Sequence, residues 1–234
     1  MSAIVLFMAG IVAIAGWWLS QQRLGAKPWL EQGALGEFRG GGASPLPAAK
    51  VGLGVFLAVV GALFALFISA YLMRMESIDW RALPTPRVLW FNTGVLIVSS
   101  GALQSAQMAA RRDDSNGMLL GLLAGAVAAV IFLIGQLLAW KQLYAAGYFL
   151  AANPANAFFY LITATHGLHL LGGLVALGRT TVRAWRGVAT PRLRLSVELC
   201  AMYWHFLLLV WLVLLLLLTG WADDFAAICR QLLS

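Results

Sequence analysis

Residues 158–178 read FFYLITATHGLHLLGGLVALG and residues 197–220 read VELCAMYWHFLLLVWLVLLLLLTG. Each stretch is about 20 residues of nearly unbroken apolar sequence, the length a helix needs to cross about 30 Å of hydrocarbon. All 3 histidines of the chain, His166, His169 and His205, lie in these two stretches, and Glu198 opens the second. Ionisable side chains at such depth are costly and mark a purpose. These four residues are therefore the first candidates for function.

Helix geometry limits what they can do. With one helix ending near Arg179 and the next beginning near Arg194, His169 and His205 lie roughly 15 Å from the same membrane face, and an antiparallel pairing could bring them together. Glu198 and His205 are seven residues apart, nearly two turns, so they share a helix face without touching. Each needs a partner on another helix, a lipid headgroup or a second protein. Three readings stay open for the histidines. One is packing and hydrogen bonding between helices, helped by Gly167, Gly172 and Gly173. A second is ligation of haem or metal, a role imidazole suits. The third is a lipid or subunit contact.

Composition agrees with a membrane protein. At 62% hydrophobic and 11% charged residues, the chain carries too much apolar sequence for one soluble core. No alternating ten-residue pattern of a barrel is present, so the spans are expected to be helices in an all-α, polytopic bundle. A net charge of +7 would point to nucleic acid in a soluble chain. Here the basic residues fall between the spans, where they set orientation and meet anionic lipid, and no nucleic-acid partner is expected. Cys200 and Cys229 have no metal-type spacing, and a disulfide between them is not expected.

Six spans are expected. The first, 2–19, has its basic residues, Arg23 and Lys27, after the apolar run, unlike a secretory signal, and reads as a retained helix of marginal length. A Gly- and Pro-rich linker covers 21–49, and the bundle proper runs from 50 to 220, before a tail at 221–234. The second span covers 50–73. Pro84 and Pro86 lie in the loop before the third span, 88–110. Asn92, Thr93, Ser99, Ser100, Gln104 and Gln107 make this third span the most polar, as expected of a helix bonded to its neighbours. The fourth span, 118–138, carries Gln136, and Asn153-Pro154 breaks the chain before the fifth. Between the fifth and sixth spans lies a basic loop holding Arg179, Arg183, Arg186, Arg192 and Arg194. With six spans, eleven of the 16 Lys and Arg residues fall on one side of the membrane. The positive-inside rule makes that side cytoplasmic and leaves both termini outside.

The last two spans also match a family. Thr165-His166-Gly167-Leu168-His169 with Gly172-Gly173, and Glu198 with Tyr203-Trp204-His205-Phe206 through Trp211, resemble subunit three of the haem-copper terminal oxidases, cytochrome c oxidase subunit III. Asn92-Thr93, Ser99-Ser100-Gly101 and Gly135-Gln136 are similar to the same family's signatures, in order. The resemblance implies a noncatalytic subunit with no cofactor of its own. It would pack against a catalytic subunit I and other subunits that hold haem and copper, in a complex that reduces oxygen and pumps protons, and it would bind phospholipid. His166, His169, Glu198, Trp204, His205, Gln136 and Asn92 would then be structural, lipid or interface residues. A quinol oxidase or nitric-oxide-reductase complex is the alternative assembly, and a haem- or metal-bearing membrane enzyme the alternative class.

Four departures from the family pattern stand out. Val60, Leu208 and Trp140 occupy positions where the family commonly has buried carboxylates, which implies a scaffold more than a proton conductor. The fourth is architectural: a five-span core plus one extra helix on a linker long enough to let 2–19 pack away from that core.

Overall fold

The computed structural model describes residues 48–75, 77–81, 83–187 and 191–220. The expected first span (2–19), the expected linker apart from its last two residues, and the tail (221–234) lie outside the described residues. What is described is all-helical: α1 (Ala48–Met75), α2 (Val88–Arg111), α3 (Ser115–Ala145), α4 (Pro154–Trp185) and α5 (Pro191–Leu218).

These helices run beyond the apolar stretches at several ends, for local reasons. Asn153 is not merely a break before α4. Its side chain accepts from the Ala155 amide at 3.2 Å as an N-cap, and Pro154 follows in the first turn, where its missing N–H costs nothing. Asp114 does the same for α3, accepting from the Gly117 amide at 3.0 Å. At the other ends, Gly147 and Gly187 adopt φ of 87° and 72°, the left-handed conformation that closes α3 and α4. Because α4 continues to Trp185 and α5 starts at Pro191, Arg179, Arg183, Arg192 and Arg194 sit on helix ends and not in a loop, which corrects the sequence reading.

Helices α1, α3, α4 and α5 are long and apolar enough to cross a membrane. At 24 residues α2 has the length, about 36 Å, but its polar side chains lower its hydropathy. Those side chains mostly turn inward. Asn92, Thr93, Ser99 and Ser100 are buried, whereas Trp90, Phe91, Ile97 and Val98 face outward, so the first half of the helix turns an apolar face to lipid, while Gln104 and Ser105 further along are exposed.

Helix α5 is the centre of the bundle, touching α1, α2 and α4, while α3 packs on α2 and α4. Trp204, Trp211 and Leu207 of α5 are fully buried, together with Phe132 of α3 and Phe159 of α4. The α2–α3 pair is the most extensive, because small residues let the backbones close up. A Cβ on Gly121 would sit 2.8 Å from the Ala102 carbonyl oxygen, and the Ser99 hydroxyl reaches the Gly125 carbonyl at 2.8 Å.

Candidate functional site

The seven residues singled out in the sequence fall into three groups along the bundle. At one end, the Lys50 ammonium donates to Glu198 at 2.7 Å and Arg111 approaches the same carboxylate at 3.9 Å. Glu198 therefore ties α5 to both α1 and α2. Arg194 also pairs with Asp113 at this end. The starts of α1, α3 and α5 and the ends of α2 and α4 thus lie together. At the opposite end, Asn153 donates to the Arg81 carbonyl at 2.6 Å and joins the two loops there.

The middle of the bundle holds the aromatic and imidazole layer. His166 is completely buried, its ring 5.2 Å from Trp211, 5.8 Å from Phe132 and 6.2 Å from Phe64. Neither ring nitrogen has a hydrogen-bond partner among the described residues. His169, one turn along α4, packs on the same Phe64, its ring 5.6 Å away; its Nδ1–H donates to the Thr165 carbonyl at 2.8 Å, and its own carbonyl accepts from the Tyr203 hydroxyl at 2.9 Å. His205 faces α2, where it meets the Ser100 hydroxyl and, at 2.9 Å, the Gln104 amide oxygen. The pairing of His169 with His205 allowed by their depth does not occur. Tyr203, two residues earlier on α5, points to α4, so His205 must point elsewhere.

Asn92 and Gln136, from separate signatures in α2 and α3, form a buried amide pair with the Asn92 Nδ2 donating to Gln136 at 2.9 Å. Gly135 makes the space for it, because a Cβ there would collide with the Asn92 amide. Beside them the Trp211 indole donates to Thr93 at 2.9 Å, and the Thr93 hydroxyl donates onward to the Leu89 carbonyl at 2.8 Å. Trp204 packs on α4 at Gly173, where a Cβ would come within 2.8 Å of the indole and 2.6 Å of Tyr203.

The three positions that depart from the family's carboxylates are filled by packed side chains. Val60 is 3% exposed in the core, Leu208 is half-buried against it, and Trp140 donates its indole N–H to Thr163 at 3.1 Å. Sequence reasoning did not identify Lys50, Arg111, Tyr203 or Thr163 as partners. For Lys50 and Arg111 a signal existed: both are basic residues at span ends on the side where Glu198 sits.

A cavity of about 440 Å³ opens between α1, α4 and α5. Leu53, Phe56, His169, Gly173, Cys200 and Tyr203 are among its lining residues. No group of three or more His, Cys, Asp or Glu side chains comes together among the described residues. His166 and His169 share Phe64 between them, while His205 stands apart with Ser100 and Gln104 of α2.

The fold and these contacts define a polytopic helical membrane protein whose intramembrane polar side chains mostly bond one helix to another. The chain belongs to the cytochrome c oxidase subunit III family, whose model matches residues 53–223. It is 32% identical over 155 residues to a probable cytochrome c oxidase subunit 3 of Mycobacterium tuberculosis, covering 65% of this chain and 75% of that one. It is 31% identical over 173 residues to a cytochrome c oxidase subunit 3 of Thermostichus vulcanus, covering 72% and 85%. A cytochrome c oxidase subunit 3 of Synechocystis is 31% identical over 172 residues, covering 71% and 72%.

Proposed function

We propose that the chain is the noncatalytic third subunit of a bacterial haem-copper oxidase that reduces oxygen and pumps protons. It would stabilise the catalytic subunit in the inner membrane and hold lipid beside it. The observation that carries this reading is the use of the family's signature residues for helix–helix contacts: Asn92 with Gln136, Glu198 with Lys50, and His205 with Ser100. In this reading the haem and copper belong to the partner subunits, and His166, His169 and Trp204 keep α4 and α5 in register.

The cavity between α1, α4 and α5 is the proposed lipid position. Leu53 lies one turn from Lys50, and Leu199 adjoins Glu198. An acyl chain lodged there sets its headgroup near the basic end of the bundle, where anionic lipid is favoured. Phe56 and Tyr203, their rings 6.1 Å apart, form an aromatic wall for it.

The test is purification of the complex through a tag on this chain. Haem-copper subunits should copurify, and the variant His169→Leu should leave the haem absorption bands in place while lowering the content of bound phospholipid. A lost or shifted haem band in that variant, or a chain that purifies without an oxidase core, overturns the proposal.

A further inference from the structure

One polar cluster faces outward at a depth where lipid offers nothing to bond. His205 lies seven residues along α5 from Glu198, and Gln104 seven residues along α2 from Arg111, each about 10 Å deeper than the charged end. Arg111 and Glu198 are 3.9 Å apart, so both depths are measured from one level. Ser100 is buried behind them, but His205 and Gln104 are exposed on the surface of the bundle.

The hydrogen bonds determine what this cluster still needs. The Gln104 oxygen faces the His205 Nε2, which must donate to it. The other nitrogen of the neutral ring, Nδ1, then accepts from the Ser100 hydroxyl. What remains exposed is the Gln104 carboxamide NH2, with two donors and no bond to either among the described residues. Hydrocarbon supplies no acceptor, and the headgroup carbonyls lie nearer the charged end. Beside the cluster Gly101 has open space on its outer side, since a Cβ there would meet nothing within 4 Å. A small residue next to an unpaired polar group is the arrangement that helix–helix contacts in membranes favour.

We propose that this face, with Gly101, Gln104 and Met108 of α2 beside Met202, His205 and Leu209 of α5, receives a transmembrane helix of another oxidase subunit. That helix carries a hydrogen-bond acceptor, a hydroxyl, amide carbonyl or carboxylate, opposite Gln104. The inference rests on the reading of the chain as an oxidase subunit and adds which face meets the partner and what chemistry the partner brings.

The intact complex can test it by photocrosslinking. Reactive side chains are placed singly at Met108 and Leu209, flanking the cluster, and at Leu120 of α3 and Val175 of α4, which are exposed elsewhere. Met108 and Leu209 should join one and the same oxidase subunit, and Leu120 and Val175 should not. In parallel, Gln104→Leu should lower the fraction of this chain retained through detergent washing about fivefold or more, with Gln104→Asn recovering part of the loss. If Met108 and Leu209 reach only lipid or a second copy of this chain while Leu120 or Val175 reaches an oxidase subunit, the face is wrong and the oxidase reading stands. If Gln104→Leu is fully retained, the acceptor contact is refuted. If no position reaches an oxidase subunit and none copurifies, the underlying reading fails and this inference with it.

Discussion

Gly173 shows how much one missing carbon decides at the residue scale. A methyl group there would lie 2.6 Å from the Tyr203 ring and 2.8 Å from Trp204, both held on α5, whereas at Gly172 it would meet nothing within 4 Å. Gly173→Ala should therefore destabilise the bundle by about 1–3 kcal/mol through overpacking. Gly172→Ala should stay within about 0.5 kcal/mol of the parent. Thermal unfolding of the detergent-solubilised protein, followed by loss of helical signal, compares the two. The Gly172-Gly173 pair was visible in the sequence as a site of close approach, but which glycine carries it depends on where Tyr203 and Trp204 point. The same holds for Asn92 and Gln136, 44 residues apart yet bonded at 2.9 Å. Removing either amide leaves the other buried and unpaired, so Asn92→Ala and Gln136→Ala should each cost about 1–3 kcal/mol. The double variant should cost less than their sum, by a coupling of about 0.5 kcal/mol or more in a double-mutant cycle.

Elements are set by their ends as much as by their apolar middles. The five described helices were legible from apolar runs of spanning length, because every backbone group in hydrocarbon must be bonded within its own helix. Their termini were less legible. Arg179 and Arg183 were read as loop because they are charged, yet a helix can continue past the hydrocarbon and carry such side chains in the interface. The Asn153-Pro154 pair was read as a break, and it is the start signal of α4. Asn153→Ala should remove both the cap to Ala155 and the bond to the Arg81 carbonyl, costing about 1 kcal/mol. Hydrogen exchange should then quicken in the first turn of α4 and leave the middle of that helix unchanged. Glu198, by contrast, holds Lys50 and Arg111 from a position about one quarter exposed, 26% for its side chain. Partial screening keeps that network small, and Glu198→Gln should cost less than about 1 kcal/mol and less still in high salt.

For the whole molecule, the charge arrangement read from loop counts and the contacts seen between helices bear on the same question. The loop count sorted 20–50, 111–117 and 179–196 to one side before any helix was placed against another. In the structure Lys50, Arg111, Asp113, Arg194 and Glu198 meet at one end through ion pairs, as that sorting requires. Arg81 and Asn153 meet at the other end. We propose that the basic end faces the cytoplasm, because Lys and Arg are retained on the cytoplasmic side during insertion. A single cysteine introduced at Arg112, on a background with Cys200 and Cys229 replaced, should therefore resist a membrane-impermeant maleimide in intact cells and react once the membrane is opened. A cysteine at Ala151, in the loop before α4 and exposed at the opposite end, should react in intact cells. The reverse pattern would invert the bundle and move the proposed lipid headgroup to the periplasmic leaflet. Equal labelling at both positions would contradict an odd number of crossings between them, and with it the membrane passage of α3.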